Sequence, residues 1–352
     1  MLKELKLTNF TAFPEATVKF APGLNVVVGE NGAGKSQLLK VAYSVCAVSA
    51  GMAKSKRQTK EEWQRQLADK LVATCRPDYL GRLVSRQQGR NRCEVRACFQ
   101  AGPELDFQFS FASNSRTDVA MQKVPVAYLP AHPVFIPTRE MLSIFPGFAS
   151  VYEDQHLEFD ETYYDLAKAL GGAARKRHPA AVAELINELE TLMDGHIRLE
   201  NGRFYLLPNR AGAGKIEIPL VAEGLRKLAM LAYLLINGSL RSNGVLFWDE
   251  PETNLNPKLM VVTTKAMLHL AMQGYQVVIA THSLFLLREI EIQSKAQKTK
   301  TAVHYIGLSL GEEDLVMLDQ GDDVADIDTL IMLDEELNQS DRYLAMDAGS
   351  VK

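Results

Sequence analysis

The chain has 352 residues, room for one large domain or two ordinary ones, and its 47% hydrophobic and 23% charged residues suit a globular protein with a real core. A formal net charge of −4 excludes a polycation built for nucleic acid, so any DNA contact must come from a local patch. No run approaches the ~18 apolar residues of a membrane span, no apolar signal core opens the chain, and the four cysteines show neither a CxxC pair nor histidines at zinc spacing, so a cytoplasmic protein with reduced thiols is expected.

In chain order, KELKLTNF and ATVKF carry apolar residues at period two, and LNVVVG is a short apolar run ending on glycine. This predicts a small antiparallel sheet feeding a buried strand. The stretch GENGAGKS follows at 29–36, and SQLLKVAYSVCAVSAG then reads as a helix that stops at Gly51. Residues 54–75 read as a polar helix. CEVRACF and LDFQFSF, joined by QAGPE, read as a hairpin, and 125–137 is extended and broken by prolines. From about 138 to 200 helical periodicity takes over, in YYDLAKALGG and AAVAELINELETLM. RFYLL and KIEIPLV return to strand, LRKLAMLAYLLING is an apolar helix, and GVLFWDE is a buried strand. A helix over PKLMVVTTKAMLHLAMQG, a strand YQVVIATHS, a helix start SLFLLREI and two last strands complete the pattern.

GENGAGKS fits G-x-x-x-x-G-K-[ST] between a strand and a helix. Backbone N–H groups of such a loop face one concavity that suits phosphate oxygens. Lys35 is placed to reach the β- and γ-phosphates, and Ser36 to put its hydroxyl on Mg²⁺. VLFWDE delivers Asp249 and Glu250 at a strand's carboxyl end, where ligands bind in open α/β sheets. Asp249 suits the Mg²⁺ shell, and Glu250 suits a base for an attacking water. VVIATHS ends its strand on His282, and AEGLRKLAML opens a helix whose N-terminus can meet an anion. AGAGK at 211–215 is followed by Ile216 and reads as a turn.

This order of motifs resembles the ABC-type ATPases, and among them the SMC/RecF-like and OLD-like heads. NFTAF with APGLNVVVGENGAGKS is similar to the opening of those heads, and DEPETNLNP to their Walker B and D-loop segment. The resemblance covers about 1–136 and 205–316. It implies an α/β fold: a RecA-like, mostly parallel core, an N-terminal antiparallel β subdomain and a helical insertion. The implied divisions are an ATPase lobe at 1–136, the insertion at 137–204, a second lobe at 205–316 and an acidic tail at 317–352. By the resemblance, Gly29, Asn31, Gly32, Ala33, Gly34, Lys35, Ser36 and Gln37 hold nucleotide as Walker A. Glu223 and Gly224 match the signature motif, Asn254 the D-loop, Asp249 and Glu250 Walker B, and His282 the switch histidine. ATP and Mg²⁺ are the implied ligands, Ser36 and Asp249 the metal residues, and Glu250 and His282 the catalytic pair.

The sequence departs from the family at Ala222, where a serine normally meets the partner's γ-phosphate, so Arg226 or Lys227 is a candidate replacement. Thr11 stands where many relatives carry arginine, and Thr138, Arg139 and Glu140 are the candidate Q-loop position. In this family two heads sandwich two nucleotides, which implies an ATP-dependent homodimer and slow hydrolysis. Compact heads of this type resemble ATPase subunits of bacterial antiphage systems, so a separately encoded effector such as a nuclease or toxin is one expected partner. DNA is the other: 81–96 holds five arginines and one glutamate, readable as a solvated loop or a DNA-contacting face. RKRHP at 175–179 is a similar, smaller cluster. From Asp319 to Asp347 there are ten acidic residues and one arginine, with a helix pattern in IDTLIMLDEEL.

Overall fold

In the computed structural model, which describes residues 1–85, 91–155, 157–296, 301–311, 315–327, 338–344 and 346, LNVVVG becomes strand β3 (Leu24–Gly29), buried at every position. The two preceding strands, β1 (Leu2–Phe10) and β2 (Phe13–Lys19), are half-buried and pair antiparallel. They join β4 (Arg92–Phe99), β5 (Phe107–Ala112) and β6 (Ala120–Lys123) in a sheet of order β2-β1-β4-β5-β6. The expected hairpin is the β4–β5 pair. The strand β6 carried no sequence signal.

β3 leaves that sheet for another. It lies inside a six-stranded sheet with β7 (Val134–Ile136), β11 (Val245–Asp249), β12 (Gln276–Thr281), β13 (Val303–Leu310) and β14 (Val316–Gly321), in the order β14-β13-β3-β12-β11-β7. Only β14 runs antiparallel. β3, β7, β11 and β12 are nearly continuous apolar runs, buried at every position, because both faces are covered there. Val27, Phe247, Val278 and Ile306 face a core shared with helix α1 (Lys35–Met52), helix α2 (Lys60–Cys75) and the antiparallel sheet. Val26, Trp248, Ile279 and Tyr305 face a second core. That core holds α4 (Glu161–Leu170), α5 (Ala180–Leu192), α6 (Glu223–Ile236), α7 (Pro257–Met272) and α8 (Leu284–Ala296).

The polar helix begins at Lys60, not at 54, because the Thr59 side chain accepts the amide of Glu62 and caps it. The inserted region carries α3 (Phe148–Asp154), α4 and α5, then strand β8 (Gly195–Glu200). β8 pairs along its whole length with β9 (Arg203–Pro208), so the division expected at 204 runs through a hairpin. β9 also pairs β10 (Ile216–Glu217), and AGAGK is a turn with Gly212 and Gly214 at positive φ. The division expected at 317 likewise cuts β14. Residues 328–337 of the helix expected over IDTLIMLDEEL, and the arginines 86 and 90, lie outside the described residues. Among the described residues no helix is long and apolar enough to cross a membrane.

Candidate nucleotide site

Three neighbouring parallel strands end together. β3 delivers the loop 29–36, β11 delivers Asp249 and Glu250, and β12 delivers Thr281 and His282. The loop is shaped by two glycines at positive φ, Gly32 at 90° and Gly34 at 84°. Gly34 also lies against the Phe13 ring, 3.0 Å from where a Cβ would sit. Gly29 is excluded from substitution differently: a Cβ there would stand 2.2 Å from the Leu308 carbonyl oxygen of β13. Ala33 is fully buried, whereas Asn31 and Gln37 are exposed.

Lys35 opens α1, and its Nζ donates to the carbonyls of Gly29 at 2.8 Å and Glu30 at 2.9 Å. Burial pulls its ammonium below the ordinary lysine value, and the carboxylates of Glu250 and Asp249 oppose that shift. Asp249 is 7% exposed. Burial raises its carboxyl, and the Ser36 hydroxyl beside it acts the other way. Asp249 Oδ1 has no hydrogen-bond partner among the described residues. A buried, unpartnered carboxylate oxygen next to a hydroxyl is a donor set that fits a hard cation completed by phosphate and water oxygens.

Glu250 has φ 49°, an uncommon backbone for a non-glycine residue, held by its amide on the Ala280 carbonyl at 2.9 Å. Its carboxylate accepts Thr253 Oγ1 at 3.1 Å and lies 3.4 Å from His282 Nδ1. His282 is exposed, so the pair faces the mouth of the site. Two more residues complete it: Glu252, missed in the sequence, and Lys227, which the sequence offered only as a contact for the partner's nucleotide. Glu252, buried, accepts Thr281 Oγ1 at 2.6 Å and the His282 amide at 3.2 Å. Lys227, with no exposed surface, donates to the Glu250 carbonyl at 3.4 Å. Burial lowers its ammonium despite Glu252, Glu223 and Glu250 nearby. A Glu two residues past a DE pair, and a Lys at the fifth residue of a mostly apolar helix, were the available signals.

The helix α6 starts at an exposed Ala222 with no side-chain cap, leaving its first amides open. Lys227 turns inward, and Arg226 Nε lies 3.0 Å from buried Glu140. Neither cation is therefore free to replace the missing serine hydroxyl, and the candidate Q-loop residue Glu140 is committed to that pair. Glu223 accepts Asn254 Nδ2 at 2.8 Å, so the signature and D-loop residues meet within one chain. Gly224 permits that approach: a Cβ there would stand 2.7 Å from Leu259 Cδ1. Asn256 caps α7 by accepting the Leu259 amide at 2.9 Å.

Comparison with known proteins bears on the fold and on the segments that carry the site. The profile of a family described as AAA domain, putative AbiEii toxin, Type IV TA system matches residues 140–288, and that of a second AAA domain family matches 4–41. The chain is 38% identical over 72 residues to the DNA replication and repair protein RecF of Limosilactobacillus fermentum, 19% of this chain and 18% of that protein. It is 37% identical over 54 residues to RecF of Streptococcus equi subsp. zooepidemicus, 15% of each chain. These matches thus span less than a fifth of either relative. Among solved structures, an SMC head bound to the C-terminal winged-helix domain of ScpA superposes with TM-score 0.51 at 13% identity, covering 91% of this chain and 97% of that one. The Pyrococcus furiosus SMC head with an extended coiled coil, bound to the ScpA C-terminal domain, gives 0.50 at 12% identity, with 91% and 96% covered. The chain has the fold of an SMC-type ATPase head, and its phosphate loop and its Asp249–Glu250 pair both fall within segments that match AAA-domain families.

Proposed function

We propose that the chain binds ATP with Mg²⁺, closes on it as a homodimer, hydrolyses it slowly, and so switches or scaffolds a separately encoded effector in antiphage defence. The observation that carries the ATPase reading is the convergence of Lys35, Ser36, Asp249, Glu250 and His282 at three adjacent strand ends. Lys35 and the loop amides bind and orient the phosphates. Ser36 and Asp249 would hold Mg²⁺, which neutralises charge on the β- and γ-phosphates. Glu250 takes the role of the base that positions water and accepts its proton, and His282, 3.4 Å away, steadies that carboxylate.

The dimer reading rests on the open start of α6. With Lys227 buried, Arg226 paired to Glu140 and the Leu225 amide on the Ala222 carbonyl at 3.0 Å, the backbone amides of Glu223 and Gly224 are left to meet a partner's γ-phosphate. A nucleotide bound between two copies favours the closed pair by the difference in its affinity for the two states. The defence reading is supported by the matching AAA family, described as a putative AbiEii toxin of a Type IV toxin–antitoxin system.

The second reading is a DNA-repair or chromosome-maintenance head acting directly on DNA. The RecF matches favour it, as does the exposure of Arg82 and Arg92. Expression of Glu250→Gln with its neighbouring genes, followed by purification in ATP-Mg²⁺, separates the two. A co-purifying second polypeptide supports the effector. Retained DNA that dissociates steeply with salt, and is lost with Arg82→Ala and Arg92→Ala, supports the second reading. A chain that purifies with neither contradicts both outputs.

A further inference from the structure

We propose that a basic pocket at the amino ends of β7 and β11 binds a phosphorylated small molecule of about nucleotide size. It lies at the opposite end of these parallel strands from Asp249: Val134, the first residue of β7, and the loop 238–241 before β11 line it. The cavity measures about 550 Å³, within the roughly 300–1,000 Å³ of small-ligand sites.

Its charge is one-sided. Lys54, Lys168, Arg175 and Arg241 line it, against the single carboxylate of Asp165. That carboxylate is already engaged, since it accepts the Tyr43 hydroxyl at 2.6 Å and is paired with Lys70. Among the described residues none of the four lining cations is in an ion pair with a carboxylate. Arg175 donates from Nε and Nη2 to the carbonyls of Asn237 and Gly238, each at 3.2 Å, and Arg241 donates from Nε to Gly238 at 3.4 Å. Those bonds fix two planar forks at the pocket while leaving other N–H groups available. A guanidinium held in this way suits bidentate binding of phosphate oxygens.

The floor is apolar and rigid. Tyr43, Phe135 and Leu166 are buried beneath it, with the first two rings edge-to-face at 5.3 Å, and Pro130 and Pro133 form a wall. Cations on one side of an apolar floor match a ligand with a phosphate end and a flat, less polar body. A walled cavity of this size favours a small molecule over a nucleic-acid backbone. The RKRHP run of the sequence thereby gains a role through its first residue, which is part of the lining.

The test titrates the folded Lys35→Ala chain, disabled at the phosphate loop, with inorganic pyrophosphate and with AMP by isothermal titration calorimetry. One equivalent of binding is expected. It should weaken about tenfold or more in Lys35→Ala/Arg241→Ala and in Lys35→Ala/Lys168→Glu. Lys168 is exposed and, among the described residues, its Nζ bonds only to the Tyr164 hydroxyl, so that variant keeps its fold, and Lys168→Glu alone leaves ATP turnover unchanged. No heat with either probe, or affinities unchanged by both substitutions, overturns the proposal. So does retention of single-stranded DNA through these cations without pyrophosphate binding.

Discussion

Glu252 ties the ends of two neighbouring strands: its Oε1 accepts the Thr281 hydroxyl at 2.6 Å and, at 3.2 Å, the amide of His282. The position of the exposed histidine is therefore set by a buried carboxylate two residues beyond the Walker B pair. Glu252→Ala leaves that hydroxyl and amide without their acceptor, which costs about 1–3 kcal/mol of stability. Glu252→Gln, which keeps an acceptor oxygen, should recover most of it. Thermal denaturation of the two variants reads the difference, and ATP turnover should fall in the same order.

Glu250 should behave differently. Glu250→Gln preserves shape and hydrogen bonding but removes the base, so turnover should drop by about 100-fold or more while nucleotide affinity stays within a few-fold. Phosphate release beside equilibrium nucleotide binding checks both halves. Equal loss of binding and turnover would make Glu250 a binding residue.

The pH dependence of the nucleotide-free chain follows from Asp249. Burial holds its carboxyl above the ordinary 3.8. The folded chain therefore keeps this proton more tightly than the unfolded chain. The stability it contributes is full below the unfolded value and is lost as pH rises through the folded one. At neutral pH the ionised group weighs against the fold. Asp249→Asn should raise the melting temperature of the nucleotide-free chain by about 1–3 °C and flatten its rise on mild acidification. The same variant should lose the stabilisation that ATP-Mg²⁺ gives the wild type.

The loop glycines should separate by mechanism. Gly29→Ala drives a Cβ to 2.2 Å from the Leu308 carbonyl oxygen, inside the β3–β13 pairing, and should destabilise by about 3 kcal/mol or more. Gly32 meets nothing closer than Leu310 Cδ1 at 3.8 Å, so Gly32→Ala pays only for its positive φ, about 1–2 kcal/mol. Urea denaturation of the two variants decides whether this order holds.

Local structure was legible wherever a period or a cap was local. The β4–β5 hairpin, α1 after the phosphate loop and the three buried strands β3, β11 and β12 could all be read from apolar spacing. What required the fold is long-range. Nothing in KELKLTNF and LNVVVG says that the first pairs with β4 while the second crosses into a different sheet. Arg226 and Lys227 both read as exposed cations at a helix start. Their helical phase instead buries Lys227 beneath Glu250 and sets Arg226 against Glu140, 86 residues earlier. The same holds for Asp165, whose partners Tyr43 and Lys70 lie on α1 and α2 and anchor α4 to the core.

A composite site shared by two copies makes ATP the bond between them, and native mass spectrometry of Glu250→Gln in ATP-Mg²⁺ reads that bond. A dimer carrying two ATP molecules is expected, reduced to monomers by Lys35→Ala. A monomer that binds ATP, or a dimer indifferent to nucleotide, would contradict it.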